Sequence, residues 1–263
     1  MHVGIITYQT GHLKTWQIIR RLMAKSYRIT LYAFPFRLRP QTLHGFTDRP
    51  YQIIEFDVKA FCRSHNIGYQ IVNGWDDKYA NDLDRSNAHE KPDIYLTCIA
   101  KIIPSSFIHG RTILNCHPGL LPHNRGVDAF KWCVVNKWPF GVTLHMINDQ
   151  IDSGTILHRI RVPVWPNDTL PDVCQRAYDI EGDLLADFGC YLGNRRYSWH
   201  VSDEYPLSRK HIPLELDTRI EELFLKNRDE FVRLSTDFTV QAHPADVVQG
   251  ASHDVFLVRH KYD

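Results

Sequence analysis

Long hydrophobic runs are missing from this sequence. No stretch of its 263 residues approaches 18 consecutive apolar side chains, so no helix is expected to cross a membrane. A dominant charge is missing too. Lys plus Arg number 31 and Asp plus Glu 30, a formal net charge of +1, which argues against nucleic-acid binding driven by bulk electrostatics. Closely spaced cysteines are absent. The six stand at 62, 98, 116, 133, 174 and 190 with no CxxC, a spacing that suits neither a zinc framework nor a dense disulfide scaffold. Reduced, mostly buried thiols in a cytoplasm are the expectation. No cluster of His, Cys and carboxylates has ligand-like spacing, and no metal is expected. The start, MHVGIITYQTGHLKTW, lacks the basic segment, apolar stretch and cleavage site of a signal peptide. Aromatic residues are plentiful. Six Trp, twelve Tyr and thirteen Phe supply enough apolar area to exclude disorder as a global state.

Residues 2–7 (HVGIIT) form an apolar run that fits a buried strand. Leu13, Trp16, Ile19, Leu22 and Met23 recur at helical spacing, with Lys14, Arg20 and Arg21 between them, which predicts an amphipathic helix. Residues 28–34 (RITLYAF) read as a second strand, so the chain opens on a right-handed βαβ unit. Residues 35–50 are irregular and carry Arg37, Arg39 and Arg49. Further strands are expected at 69–72, 93–98, 112–116, 141–147 and 155–164. Helices are expected near 56–64, 76–90, 127–136 and 170–192, the last capped by Asp168 or Thr169 with Pro171 in its first turn. This alternation argues for an α/β fold with a mostly parallel, Rossmann-like sheet. The pattern changes near residue 200, where a helix over about 218–234 and short strands follow. The expected division is a main domain, 1–200, and a small C-terminal region, 201–263. Phe224, Phe231, Phe238, Val255 and Phe256 give that region an apolar face. It must dock on its own core or on a second copy, and a homodimer is the expectation.

Chemistry concentrates in LNCHPGLLPHN, residues 114–124. Asn115 and His117 stand two apart at the end of an apolar run, so a strand presents them on one face. Pro118, Gly119 and Pro122 then stop regular structure. A polar pair at the carboxyl end of a strand is where open α/β sheets place ligands. Asp152 follows in the loop DQIDSG, after a strand carrying Thr143 and His145. An amide, an imidazole and a carboxylate on neighbouring strand ends can make a proton-transfer site: the amide donates to an oxyanion, the imidazole titrates near neutrality, and the carboxylate orients it. Taken singly, each motif also reads as ordinary turn chemistry.

Several motifs together carry a resemblance. NCHPGLLP (115–122) followed by Arg125-Gly126, then GVTLH (141–145) and IDSGTI (151–156), resemble, in the same order, the signature segments of the formyltransferases that use 10-formyltetrahydrofolate. That pattern runs Asn-x-His-Pro-Ser-Leu-Leu-Pro, and position 119 departs from it with glycine. Residues 99–110 (IAKIIPSSFIHG) are similar to the stretch that precedes the signature. The resemblance is good over roughly residues 90–190 and general over 1–89.

It implies the formyltransferase fold, catalytic roles for Asn115, His117 and Asp152, and transfer of a formyl group from 10-formyltetrahydrofolate to an amine. It places the folate near Ile99, Ala100, Lys101 and Ile103 on one side and Asn148 and Ile151 on the other. Within such a family the acceptor is glycinamide ribonucleotide, initiator methionyl-tRNA or a nucleotide-linked amino sugar. The segment YQTGH (8–12) lacks an evident monophosphate loop, and residues 200–263 are short and mixed in charge. A nucleotide-linked 4-amino-4,6-dideoxy sugar is therefore the expected acceptor, GDP-perosamine ahead of a dTDP sugar, for lipopolysaccharide O-antigen in a bacterial cytoplasm. Arg37, Arg39 and Arg49 would neutralise its diphosphate, Tyr8 or Trp75 would stack on its base, and His145 would touch it. The plainer readings are a solvated arginine loop and a packed Trp75. Alternatives for the whole chain are the purine-synthesis enzyme and a non-catalytic folate-binding protein.

Overall fold

The computed structural model describes residues 1–36, 54–75, 91–192 and 208–236. Arg37, Arg39, Arg49, the expected 76–90 helix, the boundary near 200 and the expected strands of the tail lie outside the described residues. So do Phe238, Val255 and Phe256.

Seven strands form one sheet in the order β3-β2-β1-β4-β5-β6-β7. They are β1 (His2–Tyr8), β2 (Arg28–Phe34), β3 (Gly68–Ile71), β4 (Ile94–Thr97), β5 (Ile113–His117), β6 (Gly141–Met146) and β7 (Ile156–Arg161). The first five run parallel. β6 lies antiparallel to β5 and β7 antiparallel to β6, so the expected mostly parallel sheet ends in an antiparallel edge. Parallel strands with both faces covered read as continuous apolar runs, and β1 is buried from His2 to Thr7. The strand order reverses beside β1, which opens a crevice at the carboxyl ends of β1 and β4.

Two layers cover the sheet. On one face, Leu96, Leu114, Cys116 and Leu144 meet Ile18, Ile19 and Leu22 of helix α1 (Leu13–Ala24) and Val173, Cys174 and Ala177 of the long helix α5 (Leu170–Ala186) in one core cluster. On the other, Ile6, Tyr32, Phe34, Tyr95 and Ile113 meet Phe107 and Ile108 of the short helix α3 (Ser105–Ile108). Helix α2 (Val58–Ser64) packs beside β3, and α4 (Ala129–Asn136) follows the signature loop. Of the two candidate caps for α5, Thr169 is the one used: it forms a reciprocal capping box with Asp172, with Pro171 in the first turn. Asp168 instead pairs with Arg176 at 2.9 Å. The helix ends at Ala186 rather than 192, because Phe188 turns fully into the core and stacks on Tyr27 before a separate turn, α6 (Gly189–Leu192).

The C-terminal segment is built into this core. Where one helix over 218–234 was expected, two short ones form, α8 (Ile220–Lys226) and α9 (Arg228–Thr236), with Asn227 capping the break, and a further turn, α7 (Leu214–Asp217), precedes them. Phe224 and Phe231 stack at 5.6 Å and both meet Phe140 edge-on. They are buried by their own chain, so neither supplies an argument for a second copy. Lys131 and Asp217, each almost inaccessible, pair at 2.6 Å. Arg161 donates to the Leu234 carbonyl, and Arg228 to that of Asp168.

Candidate active site

β5 alternates. Leu114 and Cys116 enter the α1–α5 core, while Ile113, Asn115 and His117 face the other layer. Antiparallel pairing sets Asn115 opposite His145 and His117 opposite Thr143, so these four share a face. Gly154 lets the Asp152 loop close on β6: a Cβ at 154 would stand 1.7 Å from the Met146 carbonyl oxygen. Asp152 itself has φ 46°, a left-handed backbone uncommon for a residue with a side chain and often found at functional sites.

The polar groups then meet. His117 Nε2 lies 2.6 Å from the Asn124 carbonyl oxygen, and its Nδ1 3.4 Å from Asp152 Oδ2. The ring thus lies between a carbonyl oxygen and a carboxylate oxygen. Asp152 Oδ2 also accepts the Gly126 N–H at 2.9 Å. Burial pushes the Asp152 carboxyl up, but His117, His145, the Gly126 N–H and Arg125 together outweigh it and hold it below the usual carboxylate range. Arg125 steadies the same loop by donating twice to the Ile151 carbonyl, at 3.0 and 2.6 Å.

His145 has a different part from the one expected. It is 1% exposed and lies behind Asn115. Its Nδ1–H donates to the Met146 carbonyl, which leaves Nε2 to accept from Asn115 Nδ2 at 3.2 Å. Burial drives the imidazole down to about 4 despite Asp152 nearby, so it stays neutral and fixes the orientation of the Asn115 amide. One proton on Nδ2 remains for another acceptor.

That depressed value predicts a pH dependence of stability. The unperturbed imidazole titrates near 6.5 and the folded one near 4. As pH falls across that window, the unfolded chain takes up a proton that the folded protein refuses. Stability should therefore drop by roughly 3 kcal/mol between these limits and be flat above them. Asp152, with its lowered value, adds its own loss only as pH falls below the ordinary carboxylate value of 3.8. Urea melts of the protein and of His145→Gln at pH 7 and pH 4.5 check this; an equal loss in both would contradict it.

The remaining expected residues are dispersed. The Tyr8 hydroxyl accepts the Ala100 N–H at 3.2 Å, bridging the crevice between β1 and β4. Trp75 is half-buried and packs on Phe34 and Phe107, as the plainer reading expects. Ile103 is 8% exposed within that same cluster. Ile99 is half-buried, Ala100 and Lys101 are exposed, and Lys101 lies over the Phe34 ring. Asn148 ties its own loop, accepting from Gln150 N and Ser153 Oγ and donating to the Ser153 carbonyl. Ile151 is exposed beside Asp152. His109 reaches Asp149 at 3.2 Å and links α3 to this loop.

Asn124, Arg125, Gly126 and Thr143 were not expected at the site. Thr143 Oγ1 donates to the Gly119 carbonyl and accepts the Leu121 N–H, holding the signature loop onto β6. Gly119 has a steric reason. A Cβ there would stand 2.7 Å from the Asn124 carbonyl oxygen and 2.9 Å from His117 Nε2, the two atoms of the ring's own hydrogen bond. Gly119→Ser is therefore expected to cost about 1–3 kcal/mol and to unseat His117. A thermal melt and crystal structure with the ring unmoved would contradict this.

Among the described residues, no group of three or more His, Cys, Asp or Glu is placed to hold a metal ion. No helix among them is long and apolar enough to cross a membrane.

Comparison with known proteins agrees with the geometry. Residues 59–188 match the family model described as Formyl transferase, Formyl_trans_N. Just under half of the chain thus resembles a formyl transferase domain. A dTDP-4-amino-4,6-dideoxyglucose formyltransferase of Mycobacterium tuberculosis (strain ATCC 25618 / H37Rv) is 32% identical over 99 residues, 37% of this chain and 42% of that protein. A phosphoribosylglycinamide formyltransferase of Haemophilus influenzae is 33% identical over 70 residues, 26% of this chain and 33% of that protein. The alignments thus span less than half the length of these curated relatives. A sugar N-formyltransferase from Shewanella sp FDAARGOS_354 shares the fold, with a TM-score of 0.55 at 24% identity over 84% of this chain and 87% of that one. Asn115, His117 and Asp152 lie within the matched residues, at the carboxyl end of β5 and in the loop after β6.

Proposed function

We propose that the protein is an N-formyltransferase that moves a formyl group from 10-formyltetrahydrofolate to the amine of a nucleotide-linked 4-amino-4,6-dideoxy sugar. The observation that carries this reading is the oriented set of one amide, one imidazole and one carboxylate at adjoining strand ends, inside the residues that resemble a formyl transferase domain. That donor set suits acyl transfer. The free Asn115 amide proton donates to the oxygen that gains charge as the amine adds to the formyl carbon. His117 and Asp152 lie beside it. Between them they pass the proton that the adding amine must lose to the departing folate nitrogen: the new C–N bond forms in the addition, and the old one breaks when the adduct collapses. The exposed loops at 99–102 and 148–151 would hold the folate, the donor consumed in the reaction. A cytoplasmic bacterial role in O-antigen synthesis and a homodimer belong to the same reading.

The acceptor named for the mycobacterial relative makes dTDP-4-amino-4,6-dideoxyglucose the first compound to test and GDP-perosamine the second. The Haemophilus influenzae relative supports glycinamide ribonucleotide as the second reading. A thermal-shift screen of dTDP, GDP, UDP and glycinamide ribonucleotide separates them. A ligand at ~100 times its dissociation constant should stabilise by roughly 2.7 kcal/mol. A shift with dTDP or GDP is the expected outcome. A shift with glycinamide ribonucleotide alone would replace the sugar by the purine precursor.

A further inference from the structure

We propose that the C-terminal strap from Arg209 to Ile212 is a positioning element for Asp152, making this segment a working part of the active site and not only a cover on the core. The inference rests on the transfer reaction proposed above. Asp152 Oδ2 is held by the Gly126 N–H, and Gly126 is held by the strap. Arg209 N–H donates to the Arg125 carbonyl at 2.9 Å, and the Arg209 carbonyl accepts the Val127 N–H at 3.2 Å. Residues 125–127 and the strap thus form a short parallel bridge around Gly126. The fit has no slack. Gly126 has φ +94°, and a Cβ on it would stand 2.3 Å from the Arg209 carbonyl oxygen.

Side chains fix the strap in turn. The Arg209 guanidinium lies over both indoles of α4 and its exit, 5.0 Å from the Trp132 ring and 4.6 Å from that of Trp138, an arrangement in which a cation gains from both faces. Trp132 Nε1–H donates to the Lys210 carbonyl. The Asp128 carboxylate accepts from His211 Nδ1 at 2.9 Å and from the Ile212 N–H at 3.1 Å. The groups facing Asp152 are His117 from β5, His145 from β6, and Arg125 and Gly126 from the bridged segment. Only the last two depend on the strap, so a loosened strap takes from Oδ2 its backbone partner while both histidines stay in place.

The test uses full-length Arg209→Ala and Arg209→Lys. Two-dimensional amide NMR reads the Gly126 N–H directly, with Asp152→Ala marking where that resonance lies when its acceptor is gone. In Arg209→Ala the Gly126 resonance should travel at least half of the way to that position, and Arg209→Lys, which keeps a cation between the indoles, should bring it most of the way back. In the transfer assay kcat should fall roughly tenfold or more, with KM for the folate unchanged, because the defect is one of orientation. An unmoved Gly126 resonance in folded Arg209→Ala overturns the proposal, as does a lowered melting temperature with neither resonance nor kcat changed. If Arg209→Ala does not fold, Trp138→Phe weakens the same stack and is read in the same way. The NMR result needs no turnover, so a failure of the formyl-transfer reading and a failure of this one are told apart.

Discussion

His117→Ala and Asp152→Ala should each lower formyl transfer by ~100-fold or more while the fold persists, as expected when a positioned proton-transfer group is removed. The two act as a pair. His117 is 4% exposed and lies between the Asn124 carbonyl and the Asp152 carboxylate. Without Asp152, the ring keeps the Asn124 carbonyl beside one nitrogen and loses the carboxylate beside the other. Without His117, the carboxylate keeps the Gly126 N–H and Arg125 but has no imidazole through which to pass a proton. The double variant should therefore be little worse than either single one. Asp152→Asn separates charge from shape, since its carbonyl oxygen can still accept from Gly126; it too should be slow. Near-normal turnover by purified His117→Ala would remove this pair from the reaction.

A second large effect is expected far from the chemistry. Lys131→Met should destabilise the protein by about 3–5 kcal/mol, the usual consequence of leaving a buried charge without its partner. Lys131 and Asp217 are both within a few per cent of full burial, pair at 2.6 Å and join α4 to the C-terminal segment. Lys131→Met combined with Asp217→Leu should recover most of the loss, because two well-packed apolar side chains replace a buried ion pair at little cost. Denaturant melts of the two single variants and the double variant measure this. A Lys131→Met protein as stable as the parent would mean that the C-terminal segment is not seated on α4 as described.

Much of the site was legible because strand periodicity is local. Asn115 and His117, two apart in an apolar run, share a face in the structure as period two requires. The cap of α5 was legible for the same reason, since Thr169, Pro171 and Asp172 lie within one turn. What stayed hidden depends on cross-chain register. His145 looked like a substrate contact because its spacing from Thr143 mimics that of the Asn115–His117 pair. Only the β5–β6 pairing shows that it is buried behind Asn115. Gly126 enters the site through its backbone N–H, and a backbone donor leaves no mark in a sequence. The bracing of Gly126 by Arg209 spans more than eighty residues, and nothing near position 209 announces it. For Trp75 the sequence leaves packing and base stacking both open, and the packing neighbours, Phe34 and Phe107, come from distant segments.

The central claim is that Asn115, His117 and Asp152 act as one unit to formylate an amine. Its most direct test is to mix the protein with 10-formyltetrahydrofolate carrying a 13C-formyl group and with dTDP-4-amino-4,6-dideoxyglucose or GDP-perosamine, and to follow the label by NMR. A new formamide signal on the sugar nucleotide is expected, formed by the parent protein and lost in His117→Ala and Asp152→Ala. A label that stays on the folate with every amine offered, or that appears as free formate without any amine present, would contradict it.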